Sequence, residues 1–317
     1  MSGCPESKLA LLGIFSMDSE ANLARRSLLR EKYRQLQAQL PSYAQIDFQF
    51  VMGLPSEESP LPSQVQAMEQ LLFPHETAIL DIKENMDHGK SYYWFKYAAN
   101  HLLETPHPDG TSKKCTQYRY VAKVDDDSLL HFPRLAAELL KINDTHAHNY
   151  YVGRINRSYG DPFMCGMLYL LSENLVRYIA TSQKTALDIV GLEDRKTAEW
   201  IRGSGMIVEP VGLQRQLHDH MDFMDYPRFI TNETICLHGL KRHVEDIREL
   251  FDSDNITYRG ALTSFAQNTC GFTLSETDAD EIDAFVLAEA NKGIFHTLPK
   301  LEEYLVTNYK PKYVLSQ

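Results

Sequence analysis

The chain has 317 residues, of which 43% are hydrophobic and 24% charged, which is enough apolar material for one large or two smaller cores and excludes wholesale disorder. Lys and Arg number 32 against 43 Asp and Glu, a formal net charge of −11, which argues against a footprint for a nucleic-acid backbone. An anionic ligand stays open, because a bound divalent cation reverses the local field.

Five cysteines, Cys4, Cys115, Cys165, Cys236 and Cys270, include no CxxC pair. That argues against a structural zinc site, and the odd number argues against a full disulfide framework. No apolar run reaches the roughly 18 residues of a membrane helix. Met1 to Pro5 lacks the basic start and apolar stretch of a signal peptide. Taken alone these features read as soluble and cytoplasmic, whereas four N-x-S/T sequons, at Asn143, Asn156, Asn232 and Asn255, suit a secretory origin.

In chain order, residues 9–17 form a short uncharged apolar run, a buried strand. Residues 22–39 carry Leu23, Leu28, Leu29 and Leu36 at near-helical spacing, continued by Leu40, and Pro41 stops the helix. Ile46, Phe48, Phe50 and Met52 alternate with Asp47 and Gln49, the pattern of a half-buried strand. Residues 53–62, with Pro55, Pro60 and Pro62, are loop. A strand at 77–82, a helix at 89–104, a polar loop at 105–114 and a strand at 118–124 follow. Repeated β-then-α units imply a mostly parallel sheet with helices on both faces. The acidic stretch after Lys241, with Val244, Ile247 and Leu250, reads as a helical C-terminal extension over 241–317, packed on a main domain of 1–240.

Three segments carry chemistry. The strand at 118–124 runs into Asp125-Asp126-Asp127, placing carboxylates at the carboxyl edge of a parallel sheet, where open α/β folds bind ligands. Such a triplet is either a solvated acidic turn or a site for Mg²⁺ or Mn²⁺ against a ligand's phosphates. Asp125-x-Asp127 also suits a haloacid-dehalogenase-like phosphatase with an aspartyl nucleophile. Glu193-Asp194, after Gly191, sits at a helix start, where the dipole favours carboxylates and where Asp194 could equally be a cap. Residues 235–241 expose His238 and then Lys241, a possible metal ligand and phosphate contact.

Seven stretches occur in an order that resembles the β1,3-galactosyltransferase and Fringe-like glycosyltransferases of family 31, in particular fungal-type members. Arg25-Arg26-Ser-Leu-Leu-Arg30-Glu-Lys-Tyr33 resembles the family's RRxxIRxTW, and Phe50-Val-Met-Gly53 its FLLG strand. Asp81-Ile-Lys-Glu-Asn-Met-Asp-His-Gly-Lys90-Ser-Tyr resembles the fungal DxxENMxxGKTY. Lys123-Val-Asp-Asp-Asp127 resembles KxDDD, and Met164-Cys-Gly166-Met-Leu-Tyr169-Leu-Leu-Ser172 the SGxGYxLS loop. Glu193-Asp194 and His238-Gly-Leu-Lys241 match its ED and its late HxxK.

The resemblance implies a GT-A fold with a donor half at about 1–130 and an acceptor half at about 131–240. It implies an inverting, metal-dependent transfer from a UDP-sugar, most simply UDP-galactose, to a glycan or glycoconjugate. On matching positions Asp127 and His238, with Asp125, would hold Mn²⁺ or Mg²⁺. Asp125 and Asp126 would also meet the ribose or the metal's water ligands. Asp194, beside Glu193, would be the general base. Arg30, Asp81, Lys123, Gly166 and Lys241 would lie on the donor side. Gly166-Met167-Leu168 stands where the family has a glycine-rich donor loop, so larger side chains are expected against the sugar. The family's Golgi setting would apply if a membrane anchor lay outside this chain. The phosphatase and a non-catalytic nucleotide-sugar-binding module are the alternatives.

Overall fold

The computed structural model describes residues 4–55, 63–142, 149–157, 160–219 and 233–239, together with 275, 277, 278 and 307. The chain divides into two compact units, Met1–Gln214 and Arg215–Gln317. The boundary expected near residue 240 lies inside the second unit, and the expected helical extension falls almost wholly outside the described residues.

The first unit opens with β1 (Lys8–Phe15), α1 (Glu20–Ala38), β2 (Ile46–Leu54), α2 (Ser63–Leu72), β3 (Thr77–Lys83) and α3 (Lys90–His101). It continues with β4 (Glu104–Pro106), β5 (Lys114–Thr116), β6 (Tyr118–Asp125), β7 (Ser128–Leu130) and α4 (Phe132–Lys141). β8 (Asn149–Asn156), β9 (Phe163–Ser172), α5 (Glu173–Thr181), α6 (Gln183–Ala186), α7 (Glu193–Arg202) and β10 (Val208–Gly212) complete it. Seven strands form one sheet in the order β10-β8-β9-β6-β1-β2-β3. β6, β1, β2 and β3 run parallel to one another. β9 is antiparallel to both β6 and β8. The sheet is therefore the mostly parallel α/β sheet that alternating β and α segments imply, with one reversed strand.

Strand alternation divides the core. Leu11 and Phe15 of β1, with Val51, join Trp94 and Phe95 of α3, Leu175 and Val176 of α5 and Trp200 of α7 in one buried cluster. Gly13 lies in the same register, and a Cβ there would come within 2.2 Å of the Trp94 indole. The absence of a side chain lets that ring lie against the strand and donate its N–H to the Ala122 carbonyl at 2.9 Å. On the other face Tyr33 of α1 packs edge-on to Phe48 and against Phe132. Its hydroxyl, fully buried, donates to the Ser128 carbonyl at 2.9 Å.

Where the sequence suggested a plain polar loop at 105–114, β4 and β5 form an antiparallel hairpin, with Pro106 opposite Lys114. A disulfide joins Cys4 to Cys115 of that hairpin. The odd cysteine count thus excluded a complete framework but not a single bridge. Among the described residues no helix is long and apolar enough to cross a membrane. In the second unit, β11 (Leu217–His218) and β12 (Cys236–His238) form a parallel pair.

Candidate active site

β6 ends at Asp125, so the aspartate triplet lies at the carboxyl edge of the parallel strands. Because β9 runs the other way, its N-terminal part, including Gly166, is carried to the same edge. α7 begins with Glu193 and Asp194 and packs on β9, where the Tyr169 hydroxyl and Thr197 Oγ1 lie 3.0 Å apart.

The three aspartates face different surroundings. Asp125 shares a side of β6 with Lys123, two positions back, and accepts from its Nζ at 2.7 Å. Asp126 points to α1, and its two oxygens accept from Ser16 Oγ at 2.6 Å, Asn22 Nδ2 at 2.5 Å and Arg25 Nη2 at 3.3 Å. Asp126 was expected to meet ribose or metal-bound water. It is instead a buried anchor for the start of α1, whose cap is Ser19. Asp127 is also buried.

Lys123, expected on the donor side, is only 1% exposed. Its ammonium contacts Asp125, Glu193 and the Gly166 carbonyl, with Asp194 at 3.8 Å. Burial pulls its pKa down, but Asp125, Glu193 and Asp194 outweigh that and hold it well above the ordinary lysine value. Glu193 also accepts from Ser91 Oγ at 3.2 Å.

Asp194 is pushed up to about 7, first by burial and then by the neighbouring charges of Glu193 and Asp125, while Lys123 and the Gly166 amide pull it down. Among the described residues its Oδ1 has no hydrogen-bond partner. The alternative reading of Asp194 as a helix cap does not hold, because α7 already includes it and the N-cap is Leu192.

Arg30, also expected on the donor side, is a core cation. It pairs with Glu69 and Glu76, and its guanidinium lies over the rings of Phe50 and Phe73. Asp81 is exposed on β3. Met167 and Leu168 do not crowd a sugar pocket, since β9 turns both into the core at 3% and 0% exposure. His238, in the second unit, has Nδ1 3.2 Å from Asp219 Oδ1. Lys241 lies outside the described residues.

Sequence reasoning assigned no role to Glu84, Lys90 or Ser91, although all stand in the quoted Asp81-to-Tyr92 stretch. Lys90 binds Glu84 at 2.6 Å and the Ser16 carbonyl at 2.7 Å, tying the end of β1 to the chain after β3. Ser91, one residue on, reaches Glu193 of α7.

No family model matches the chain. It is 25% identical over 276 residues to the β1,3-galactosyltransferase pvg3 of Schizosaccharomyces pombe, covering 73% of this chain and 70% of that protein. Among solved structures it aligns with a glycosyltransferase involved in glycosylation of the PBCV-1 major capsid at a TM-score of 0.41 and 11% identity, covering 77% of this chain and 99% of the other. A Pyrobaculum calidifontis mannosyltransferase in complex with GDP-Man and Mn²⁺ aligns at 0.38 and 14% identity, covering 98% and 81%. The similarity to the fungal enzyme agrees with the family resemblance carried by the ordered motifs, and the chain is a glycosyltransferase.

Proposed function

We propose that the chain moves a hexose, galactose first among the candidates, from a UDP-sugar to a hydroxyl of a glycan or glycoconjugate, with inversion at the anomeric carbon. One observation carries the reading. At the sheet edge that bears the aspartates, burial pushes the Asp194 carboxyl up to about 7, and its buried Oδ1 has no hydrogen bond among the described residues. A carboxylate tuned to the working pH is suited to general-base catalysis, which contributes on the order of 10²–10⁴ in rate. Asp194 takes the proton of the acceptor hydroxyl while that oxygen bonds to the anomeric carbon. The bond from that carbon to the diphosphate breaks on the opposite side, and its electron pair leaves with UDP. One base acting opposite the leaving group gives inversion without a covalent sugar–enzyme intermediate.

The donor chemistry of the residues fits a hard divalent cation. Asp125 and Asp127 supply carboxylates at the sheet edge. The His238 imidazole is backed by Asp219, the arrangement that orients metal-binding histidines. On the strength of the resemblance, Asp125, Asp127 and His238 would hold Mn²⁺ or Mg²⁺, and Asp126, engaged by α1, is left out. Such a cation, when bound, offsets the negative charge gathered by the departing diphosphate. Asp81 and Lys241 stay as donor-side contacts on the strength of the resemblance.

For location we propose an oxidising secretory compartment, which the Cys4–Cys115 bridge and the sequons support.

The test is a panel of UDP-galactose, UDP-N-acetylglucosamine and UDP-glucose with Mn²⁺, scored by UDP release and by transfer to candidate glycans. In the preferred pair, Asp194→Asn is expected to keep Mn²⁺-dependent UDP binding while transfer falls by at least about 10²-fold. Surviving transfer would move the base elsewhere. Turnover of an aryl phosphate would favour the phosphatase.

A further inference from the structure

We propose that Gly166 and Lys123 are positioning residues for Asp194, together fixing the base relative to the carboxylate edge that faces the donor; this rests on the reading of Asp194 as the base. The family resemblance places Gly166 against the sugar. The structure places it against the protein's own carboxylate instead. A Cβ at position 166 would lie 2.7 Å from Asp194 Oδ1, 2.8 Å from Oδ2 and 2.7 Å from Lys123 Nζ. Positive φ is not the reason for glycine here, since Gly166 is absent from the left-handed positions of the described chain. The reason is contact distance.

The Gly166 amide lies near the Asp194 carboxylate and holds its pKa down slightly against burial. The Gly166 carbonyl accepts from Lys123 Nζ at 3.1 Å. Lys123 extends the grip to Asp125 at 2.7 Å and to Glu193, the residue before Asp194 on α7. Ser91 holds the other oxygen of Glu193 at 3.2 Å. The start of α7 is therefore clamped from β6, β9 and α3 together. Asp194 Oδ1 itself is buried against Gly166 and Lys123 and has no hydrogen bond among the described residues, so contact and not a hydrogen bond fixes that oxygen. An acceptor hydroxyl reaching the exposed part of the Asp194 carboxylate would meet a group with a single orientation. A single ammonium joins the carboxylate at the donor edge to the base, so the distance between proton removal and bond cleavage is set by the protein before substrate arrives.

The experiment compares Gly166→Ala with wild type and Asp194→Asn in the full chain, measuring UDP binding with Mn²⁺ by calorimetry and transfer kinetics for donor and acceptor. The methyl group pushes on the Asp194–Lys123 pair without removing a charge. Displacement of a catalytic group by about 1 Å can cost about 10²-fold, so kcat for Gly166→Ala is expected to fall by roughly that factor, with UDP affinity and donor KM within about threefold. Wild-type kcat in Gly166→Ala, with Asp194→Asn inactive, overturns the positioning role alone. A loss of UDP affinity equal to the loss of kcat also overturns it and returns Gly166 to donor contact. Persistent transfer in Asp194→Asn overturns the base and the inference with it. Should Gly166→Ala fail to fold, Lys123→Gln is the second variant: kcat is expected to fall further than UDP affinity, and an unchanged kcat overturns the proposal.

Discussion

Asp194 shows how far a single residue was legible. Its neighbour in sequence, Glu193, identifies the motif but not the environment. Burial beneath β9 is what moves its carboxyl from 3.8 to about 7. Transfer is accordingly expected to rise with pH through about 7 and level off above it, read from a kcat/KM profile. The stability effect has the opposite sense. Between 3.8 and about 7 the folded chain binds a proton that the unfolded chain has released. The contribution of this group is thus full below the unfolded value and is lost as pH rises through the folded one. Urea midpoints for wild type relative to Asp194→Asn should therefore decline from pH 4 to pH 8, and a flat difference would disprove the shift. At the sheet edge, Asp127→Ala is expected to weaken UDP binding in Mn²⁺ while leaving binding in EDTA unchanged, measured by calorimetry. Equal affinity in both would remove Asp127 from the metal set.

At the scale of the element, α1 was found by its leucine spacing but its buried face was not. Asn22, Arg25, Arg26, Leu29, Arg30, Tyr33 and Leu36 are all buried. Hydrophobic periodicity cannot register an arginine as a core residue, because its partner lies elsewhere in the chain. Arg26, with 0% exposure, binds Glu69 of α2 at 2.5 Å and the Met17 carbonyl at 2.7 Å. Removing one member of such a pair leaves a buried charge alone, at a cost of about 3–5 kcal/mol. Arg26→Met is expected to lose that much in urea denaturation, and adding Glu69→Leu to recover only part of it, because Glu69 also pairs with Arg30 and Arg26 with buried Asp18. The same burial explains why Arg30 was misplaced. A motif arginine looks like a phosphate ligand until Glu69, Glu76 and the Phe50 and Phe73 rings are seen around it. β9 taught the converse lesson: Met167 and Leu168 break a glycine-rich pattern, yet the strand's alternation turns them into the core.

At the scale of the molecule, Cys4 and Cys115 are 111 residues apart and close a large part of the first unit into a loop. Cross-linking a loop of that size restricts the unfolded chain, typically by about 2–5 kcal/mol. Reduction, or Cys4→Ser with Cys115→Ser, is expected to lower the unfolding free energy by that amount while leaving UDP binding intact. No change in stability under dithiothreitol would show that the bridge is absent in solution. The sequence by itself determined the alternation of strand and helix, the carboxylates after β6 and the order of the motifs, because these depend on local spacing and on neighbours along the chain. Only the tertiary structure decided which charges are spent inside the protein. Whether Asp126, Arg30 or Lys123 faces a ligand depends on partners more than thirty residues away, and on the reversed direction of β9 that brings Gly166 against Asp194.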